Sequence, residues 1–365
     1  MFIVRTAHKE DLESIYQLAL HLNTLNLPAR RDSLEELIIE SEAAFHPSLR
    51  MSDDDGEGEK RPRYALPPRR KILFVLESLE PKEVCGVAML ITVHGTHERP
   101  ASYFELRERQ TYSPILGRHF RHQTLQLVFD YEGPSELGAL IVAPRLRGNP
   151  LRPGRTLSYS RLAFVAATPS WFRPQLVAEI LPPFDEQGQS PLWDHLGARF
   201  TGLDYEHADK LSQKHVHFIS ELFPHTPIPT ALLPPAVQAQ LGQIGPNSKP
   251  AARLLEAAGF RFDGTIDPFD GGPTLRLRCA DSPALQAWRE HAFAGPLSEA
   301  ESAASPEGYL CRLRLDAETS IPPFLLSVGR YQCSSGEIRI DPKNQEILDL
   351  KRGEKVGLLP LPPWG

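Results

Sequence analysis

The part of the chain best suited to chemistry runs from residue 135 to residue 158. It starts with the apolar run 137–142, continues through a loop rich in arginine and glycine, and ends in a helical pattern near Thr156. Glycine lets a backbone approach a ligand closely, N–H groups at a helix start attract anions, and arginines form charge-assisted bonds to phosphate. The pattern therefore predicts a binding loop for a diphosphate. Its candidate groups are Arg145, Arg147, Gly148, Arg152, Gly154 and Arg155.

The sequence lacks the motifs that several other functions require. An exposed basic loop before an ordinary helix would show the same pattern, and this alternative stays open. The segment matches neither GxGxxG nor GxxxxGK[ST], which disfavours a dinucleotide fold or a nucleoside triphosphatase. The sequence has no HExxH motif and no serine nucleophile elbow, which disfavours a hydrolase. His215 and His217 would share one face of a strand but have no third ligand nearby, so we predict no metal site.

Composition limits the partners of the chain. Lysine and arginine total 40 and aspartate and glutamate total 46, giving a net charge of -6, so we expect no nucleic-acid partner. No uncharged apolar run is long enough to cross a bilayer, and the first residues do not resemble a signal peptide. The four cysteines are scattered without metal-binding spacing. We therefore expect reduced thiols, no membrane association and a cytoplasmic location.

The length of 365 residues predicts two structural units. We expect an α/β unit over residues 1–275, in which helical and strand patterns alternate, and a small β-rich domain over residues 276–365. Within the first unit, residues 46–70 contain an acidic run followed by a segment rich in proline and basic residues. Such a composition buries little apolar surface, so this segment is predicted to be a mobile insertion.

Short stretches between residues 135 and 275 occur in an order that is typical of a known family. They are SEL at 135–137, LSYSR at 157–161, VAE at 177–179, SPLW at 190–193, LGARF at 196–200, FISEL at 218–222 and DPFDGGPTL at 267–275. The loop and helix around residues 147–158 resemble the acyl-CoA loop of the GCN5-related N-acyltransferase superfamily. The whole series resembles the arginine N-succinyltransferases, the first enzymes of the bacterial succinyl-arginine route of arginine breakdown.

The resemblance implies a mixed α/β acyl-CoA N-acyltransferase fold with flanking helices. In that fold a central strand splays from its neighbour, and its exposed backbone holds the thioester and the pantetheine arm. Succinyl-CoA is implied as the acyl donor, with no metal, and Leu140 lies where such families bind it. The residues expected to bind this co-substrate are Leu140, Ile141, Val142, Arg147, Gly148, Gly154, Arg155 and Thr156.

One residue departs from the family pattern. The family carries a Gly-Gln-Val-His-Pro step whose histidine is assigned as proton donor, whereas residues 242–246 read Gly-Gln-Ile-Gly-Pro, with Gly245 in that place. The thiolate could leave without a donor, another residue could substitute, or the chain could be a non-catalytic subunit. Two candidates for catalysis are Glu136, where many acyltransferases of the superfamily place a base, and His225, near the family's histidine-bearing segment.

The acyl acceptor needs its own site. An arginine-like amino acid requires an acidic partner for its guanidinium group, and Glu179, Asp185, Asp267 and Asp270 are available. Asp270 also begins a Gly-Gly-Pro turn signal, so a structural role is the alternative there. We select Glu179, Asp267 and Asp270. The predicted function is succinyl transfer to the α-amino group of arginine or a related amino acid, by a homo- or hetero-oligomer. The alternative function is a silent acyl-CoA-binding or partner subunit.

Overall fold

The computed structural model describes residues 1–21, 27–45, 69–185, 188–215, 217–315 and 322–364. Nearly all of the predicted insertion at 46–70 lies outside the described residues. Within the described ranges, no helix has both the length and the apolar character needed to cross a membrane.

The chain alternates helices and strands up to about residue 287 and is mainly strands afterwards. The strands are β1 Phe2–Thr6, β2 Lys71–Leu79, β3 Lys82–Ile91, β4 Ala101–Ser113, β5 Arg118–Asp130, β6 Ser135–Val142, β7 Gln175–Glu179, β8 Ile228–Pro229, β9 Arg261–Ile266, β10 Pro273–Arg278, β11 Arg289–Pro296, β12 Glu307–Leu313, β13 Phe324–Ser334, β14 Glu337–Ile340 and β15 Lys355–Pro360. The α-helices are α1 Leu12–Ala19, α2 Arg31–Ala43, α3 Pro153–Ala167, α4 Ala198–Thr201, α5 Tyr205–Lys214, α6 Phe218–Leu222, α7 Pro235–Gln240, α8 Lys249–Ala257, α9 Pro283–Ala287, α10 Glu299–Ala304 and α11 Pro342–Leu348.

The strands form one mixed sheet whose last five members close on themselves. Strand β12 pairs with both β15 and β13, and the order β12-β15-β11-β14-β13 makes a small barrel. The predicted β character of the C-terminal part is therefore confirmed. Strand β13 also pairs with β1, with Val4 opposite Leu326, so the barrel continues the N-terminal sheet. The boundary at residue 275 stays a prediction, since the two parts share this pairing.

The centre of the sheet is buried on both faces. Residues 72–78 of β2 are buried, as expected for a strand covered on both sides. Helix α3 lies against this sheet through Phe164, whose ring centroid is 5.3 Å from that of Phe74 and 5.3 Å from that of Phe324. This packing fixes the helix that follows the basic loop.

Strand β6 separates from β7 after two residues. It pairs antiparallel with β3, but it pairs in parallel with β7 only at Ser135 and Glu136. Its register with β3 shifts at a bulge, where Ala139 has a φ of 44°. A left-handed conformation costs an L-residue about 1–2 kcal/mol, so neighbouring contacts must hold it. Residues 135–138 are buried and residues 139–142 are half-buried. The gap between β6 and β7 beyond Glu136, which we call the fork, therefore opens beside the bulge.

Most elements around the fork agree with the sequence-based prediction. Strand β6, strand β7 and the helix after the basic loop are confirmed, although α3 begins at Pro153, three residues before the predicted start. Residues 96–131, for which the sequence made no assignment, are mostly the long β4–β5 hairpin. The idea of a strand around His215 and His217 is wrong, because these residues lie between helices α5 and α6.

Candidate active site

Three strand ends bring an imidazole between two carboxylates at the fork. His94 follows β3, Glu136 is the second residue of β6, and Glu179 is the last residue of β7. Nδ1 of His94 lies 2.7 Å from Oε2 of Glu136, and Nε2 of His94 lies 3.8 Å from Oε1 of Glu179. The structure therefore joins two predicted site residues, Glu136 and Glu179, through a histidine that sequence reasoning missed.

The electrostatics of this cluster depend on burial and on like charges. Burial alone lowers the pKa of His94, but the charges of Glu136 and Glu179 outweigh it and raise the pKa to about 9. For Glu179, burial and then the charge of Glu136 raise the pKa to about 8. The Glu136 side chain is 1% exposed, whereas that of Glu179 is 32% exposed. Glu179 is thus the carboxyl group that a ligand can reach.

Two more ionisable side chains, those of Tyr103 and Asp267, lie near the cluster. The ring centroid of Tyr103, in β4, lies 6.1 Å from that of His94. Burial and then the charges of Glu179 and Glu136 raise the pKa of Tyr103 well above its usual value. Its buried hydroxyl has no hydrogen-bond partner among the described residues. Burial also raises the pKa of Asp267, which directly follows β9, and the charge of Asp267 adds to the rise in the pKa of Glu179.

The remaining acidic candidates make turn contacts. One carboxylate oxygen of Asp267 accepts the N–H groups of Phe269 and Asp270, at 2.7 and 2.9 Å. Asp270 in turn accepts the N–H of Gly272 at 2.7 Å, and Asp185 accepts the N–H of Gln189 at 2.7 Å. The turn expected at Asp270 is therefore present. Any role of these residues toward a substrate stays a prediction.

Gly245 is packed against the backbone that follows β7. Its N–H donates to the carbonyl of Leu181 at 2.9 Å. A Cβ atom at this position would lie 2.5 Å from the carbonyl oxygen of Pro182, closer than real Cβ atoms approach. Leu181 is two residues beyond Glu179, so position 245 packs on the segment that directly follows β7. In this backbone arrangement, position 245 has no room for a side chain.

His225 makes its contacts elsewhere. It is exposed, its Nε2 lies 3.0 Å from the carbonyl oxygen of Ser220, and its ring centroid lies 6.1 Å from that of Phe129 in β5. Among the described residues, these contacts do not include Glu136 or His94. The structure therefore does not bring the two predicted catalytic residues, Glu136 and His225, into contact.

The basic loop at the other end of β6 is open to solvent. Arg147, Gly148 and Arg152 are exposed, and space around Gly148 is empty within 4 Å of the position that a Cβ would take. Gly148 has a φ of 75°, a left-handed backbone conformation that glycine adopts without steric cost. Arg145 is paired with Glu83 of β3. The loop is thus not covered by protein, as a diphosphate site at the start of α3 requires.

Two of the residues predicted to bind the co-substrate turn inward instead. Thr156 is buried in the first turn of α3. Arg155 is half-buried and lies close to the phenol of Tyr309 in β12, where its charge opposes the rise that burial causes in the pKa of Tyr309. Both residues adjoin the loop, but their surroundings are protein. Their contact with a ligand stays a prediction, as does that of the more exposed Arg147 and Arg152.

Sequence reasoning missed three buried or half-buried polar residues near the fork, namely His94, Tyr103 and Arg161. Arg161 is 1% exposed, and its Nη1 donates to the carbonyl of Gly138 at 3.1 Å. It is the only charged residue in the stretch 156–167, and a lone charge in an apolar helix is a usable signal. His94 follows an apolar strand, but the sequence did not distinguish it from an ordinary loop histidine.

Known proteins match this chain over nearly all of its length. A family model described as arginine N-succinyltransferase beta subunit matches residues 2–283. An arginine N-succinyltransferase of Yersinia pseudotuberculosis is 30% identical over 367 residues, covering 99% of this chain and 98% of the relative. An arginine N-succinyltransferase subunit alpha of Pseudomonas aeruginosa is 32% identical over 281 residues, covering 76% and 78%.

A solved structure has the same fold. The arginine/ornithine succinyltransferase subunit AI from Pseudomonas aeruginosa matches with a TM-score of 0.78 and 26% identity, covering 100% of this chain and 99% of that one. Together with the forked sheet, this match defines a mixed α/β protein with a small C-terminal barrel. The chain belongs to the arginine N-succinyltransferase family, as the sequence resemblance predicted.

Proposed function

We propose that this protein transfers a succinyl group from succinyl-CoA to the α-amino group of arginine or a related amino acid. Its relatives are named for this reaction. The observation that carries the proposal is the cluster of His94, Glu136 and Glu179 at the mouth of the fork between β6 and β7. Proton-handling groups thus lie beside the open strand that a thioester needs.

The acyl donor binds along β6 and the basic loop. Because β7 leaves β6 after Glu136, the half-buried residues Leu140, Ile141 and Val142 offer backbone groups to the pantetheine arm and the thioester. Backbone N–H groups there polarise the thioester carbonyl as an oxyanion hole does. Arg147 and Arg152 bind the diphosphate at the start of α3. This arrangement is the one that the resemblance to the GCN5-related N-acyltransferases implies.

The acyl acceptor binds at the acidic side of the fork. Glu136, Glu179 and Asp267 bring three carboxyl groups near one imidazole, and ionised carboxyl groups accept charge-assisted hydrogen bonds from cationic groups. The ammonium and guanidinium groups of arginine are both cations. The partly exposed Glu179 contacts the amino group, and Tyr103 has a buried hydroxyl available for a further hydrogen bond.

The cluster supplies a base and an acid for the reaction. Glu179, with its raised pKa, takes a proton from the substrate ammonium, and the freed amine attacks the thioester carbon. A C–N bond forms, the attacking nitrogen releases its second proton to solvent, the C–S bond breaks, and its electron pair leaves with the CoA thiolate. His94 is protonated at neutral pH because its pKa is about 9, so it returns a proton to the thiolate. The almost wholly buried Glu136 stabilises this imidazolium. The mechanism therefore needs no proton donor at position 245.

A thiol-release assay tests this function. The wild type is expected to release free CoA thiol only when succinyl-CoA and a basic amino acid are both present. Glu179→Gln should lower kcat by at least about 100-fold, in the range typical of general-base removal. Glu307→Gln, at an exposed glutamate of β12, is the matched control and should be unaffected. Failure of the wild type with arginine and ornithine at high enzyme concentration would reject the proposal.

A second candidate function is a catalytically silent partner subunit, and Gly245 is the observation that favours it. No imidazole can occupy that position, and two relatives are named as subunits. This function predicts calorimetric binding of succinyl-CoA without turnover, and turnover after a sister chain is added. Turnover by the purified chain alone would exclude it.

A further inference from the structure

Arg161 is a buried cation directly beneath the bulge of β6. It lies on α3 and is 1% exposed. Its Nη1 donates to the carbonyl of Gly138 at 3.1 Å, its Nη2 to the hydroxyl of Ser158 at 3.3 Å, and its Nε to the carbonyl of Ser158 at 3.4 Å. The guanidinium group therefore ties the helix after the basic loop to one peptide of the forked strand.

That peptide is the one at which β6 changes shape. Gly138 precedes Ala139, whose φ of 44° lies in the left-handed region. Gly138 pairs with Met89 of β3, and Ile141 pairs with Val87, so β6 carries one extra residue between them. An L-residue keeps such a conformation only where its surroundings fix it. The bond from Arg161 to the Gly138 carbonyl fixes the peptide immediately before Ala139.

The contact also has an electrostatic effect. Burial lowers the pKa of Arg161 to about 9, although the charge of Glu136 opposes this, so the guanidinium stays protonated at neutral pH. A charged donor on a carbonyl strengthens the N–H of the same peptide unit as a donor, and it does so most in a buried site. The N–H of Ala139, which belongs to the same peptide unit as the Gly138 carbonyl, is thereby a stronger donor.

We propose that Arg161 is a positioning residue, whose guanidinium holds the Gly138–Ala139 bulge in the shape that the thioester requires. This rests on the proposed function, because it assumes that β6 holds the thioester. Arg161 lies under the strand and takes no part in proton transfer. Its loss should therefore reduce kcat while leaving the affinity for CoA itself nearly unchanged.

Two pairs of variants separate this role from general stabilisation. Arg161→Lys is compared with Arg312→Lys, because Arg312 is equally buried and also donates to two carbonyls, those of Leu348 and Pro322, in the barrel. Ser158→Ala is the milder variant if Arg161→Lys does not fold. Its control is Ser160→Ala, since Ser160 is also buried on α3 but donates to Leu157 instead.

The readouts are hydrogen exchange of peptides covering 135–142, kcat with succinyl-CoA and arginine, and the Kd for CoA. Arg161→Lys should speed exchange in β6 and lower kcat by about tenfold or more, with the Kd for CoA within about threefold of wild type. Ser158→Ala should act in the same direction, and the two controls should not. Exchange in β6 equal to that of the controls, or an unchanged kcat, would overturn the proposal. An inactive wild type would reject the proposed function instead, and the exchange comparison would still decide whether Arg161 holds the bulge.

Discussion

Substitution of Gly245 by alanine is expected to destabilise the protein. The added Cβ would lie 2.5 Å from the Pro182 oxygen, 2.8 Å from the Pro182 carbonyl carbon and 2.9 Å from the Leu181 oxygen. All three are backbone atoms, so the collision cannot be relieved by turning a side chain. Overpacking of this kind costs about 1–3 kcal/mol. Reduced freedom of the unfolded chain offsets only about 0.4–1 kcal/mol of that.

Gly154→Ala provides the matched control for stability. A Cβ at Gly154 would touch only a methyl of Val142, at 3.7 Å, which is ordinary contact. Gly154 lies in the first turn of α3, where alanine is the better helix former by about 1 kcal/mol. Gly154→Ala should therefore be as stable as wild type or slightly more stable. The two glycines differ in the space around them, and the comparison isolates that difference.

Thermal and urea unfolding measure the effect. Unfolding entropy is about 2.1 cal/mol/K per residue, so for a chain of this length a loss of about 2 kcal/mol lowers Tm by about 2–3 °C if it unfolds as one unit. Gly245→His should lose at least as much and should not gain activity, because any shift of Leu181 and Pro182 also moves Glu179. A Gly245→Ala protein as stable as wild type would refute the steric reasoning. A faster Gly245→His enzyme would refute the assignment of His94 as donor.

Three further predictions concern charge. In a pH–rate profile, kcat/KM should rise with pH up to about 8, as Glu179 loses its proton, and should fall above about 9, as His94 loses its proton. The Glu179→Gln variant should lack the rising limb. The folded-state pKa of His94 is raised above its ordinary 6.5. Its ionisation therefore stabilises the fold fully below pH 6.5, and this stabilisation is lost as pH rises through 9. In urea titrations, the free energy of unfolding of His94→Gln should decline less over that interval than that of the wild type. Alanine at Arg147 and Arg152 should each raise the Kd for succinyl-CoA by at least about threefold in calorimetry, and added salt should shrink the difference.

The sequence was sufficient to predict the elements that are continuous along the chain. The run 137–142, the loop of arginines and glycines, and the helix after it are local patterns, and the structure places them in that order as β6, loop and α3. The fork itself followed only from family resemblance. Nothing local in 135–142 shows that β7 pairs with two residues of β6 and then departs, since that depends on how the strands twist and pack.

The sequence was insufficient wherever distant segments meet. His94 owes its properties to Glu136 and Glu179, which reach it from two other strands. Similarly, the pairing of β1 with β13 joins the two ends of the chain and could not be read from either. From the sequence, Gly245 was notable only because the family resemblance implies a histidine there. Its packing on Pro182 is visible only in the structure. Long-range contacts thus decided the parts of the site that sequence patterns left open.

The proposed mechanism does not require a histidine at position 245, because the cluster at the fork contains its own proton donor. The N–H of Gly245 bonds to Leu181, which is two residues beyond Glu179 along the chain. His94 approaches the same carboxylate, with its Nε2 3.8 Å from Glu179, and Glu136 keeps it cationic. A proton donor needs a suitable pKa and access to the leaving sulfur. Neither requirement determines which segment of the chain carries the donor. In the proposed mechanism the proton comes from His94, in the segment after β3, and the roles proposed for Glu136, Glu179 and the basic loop do not depend on position 245.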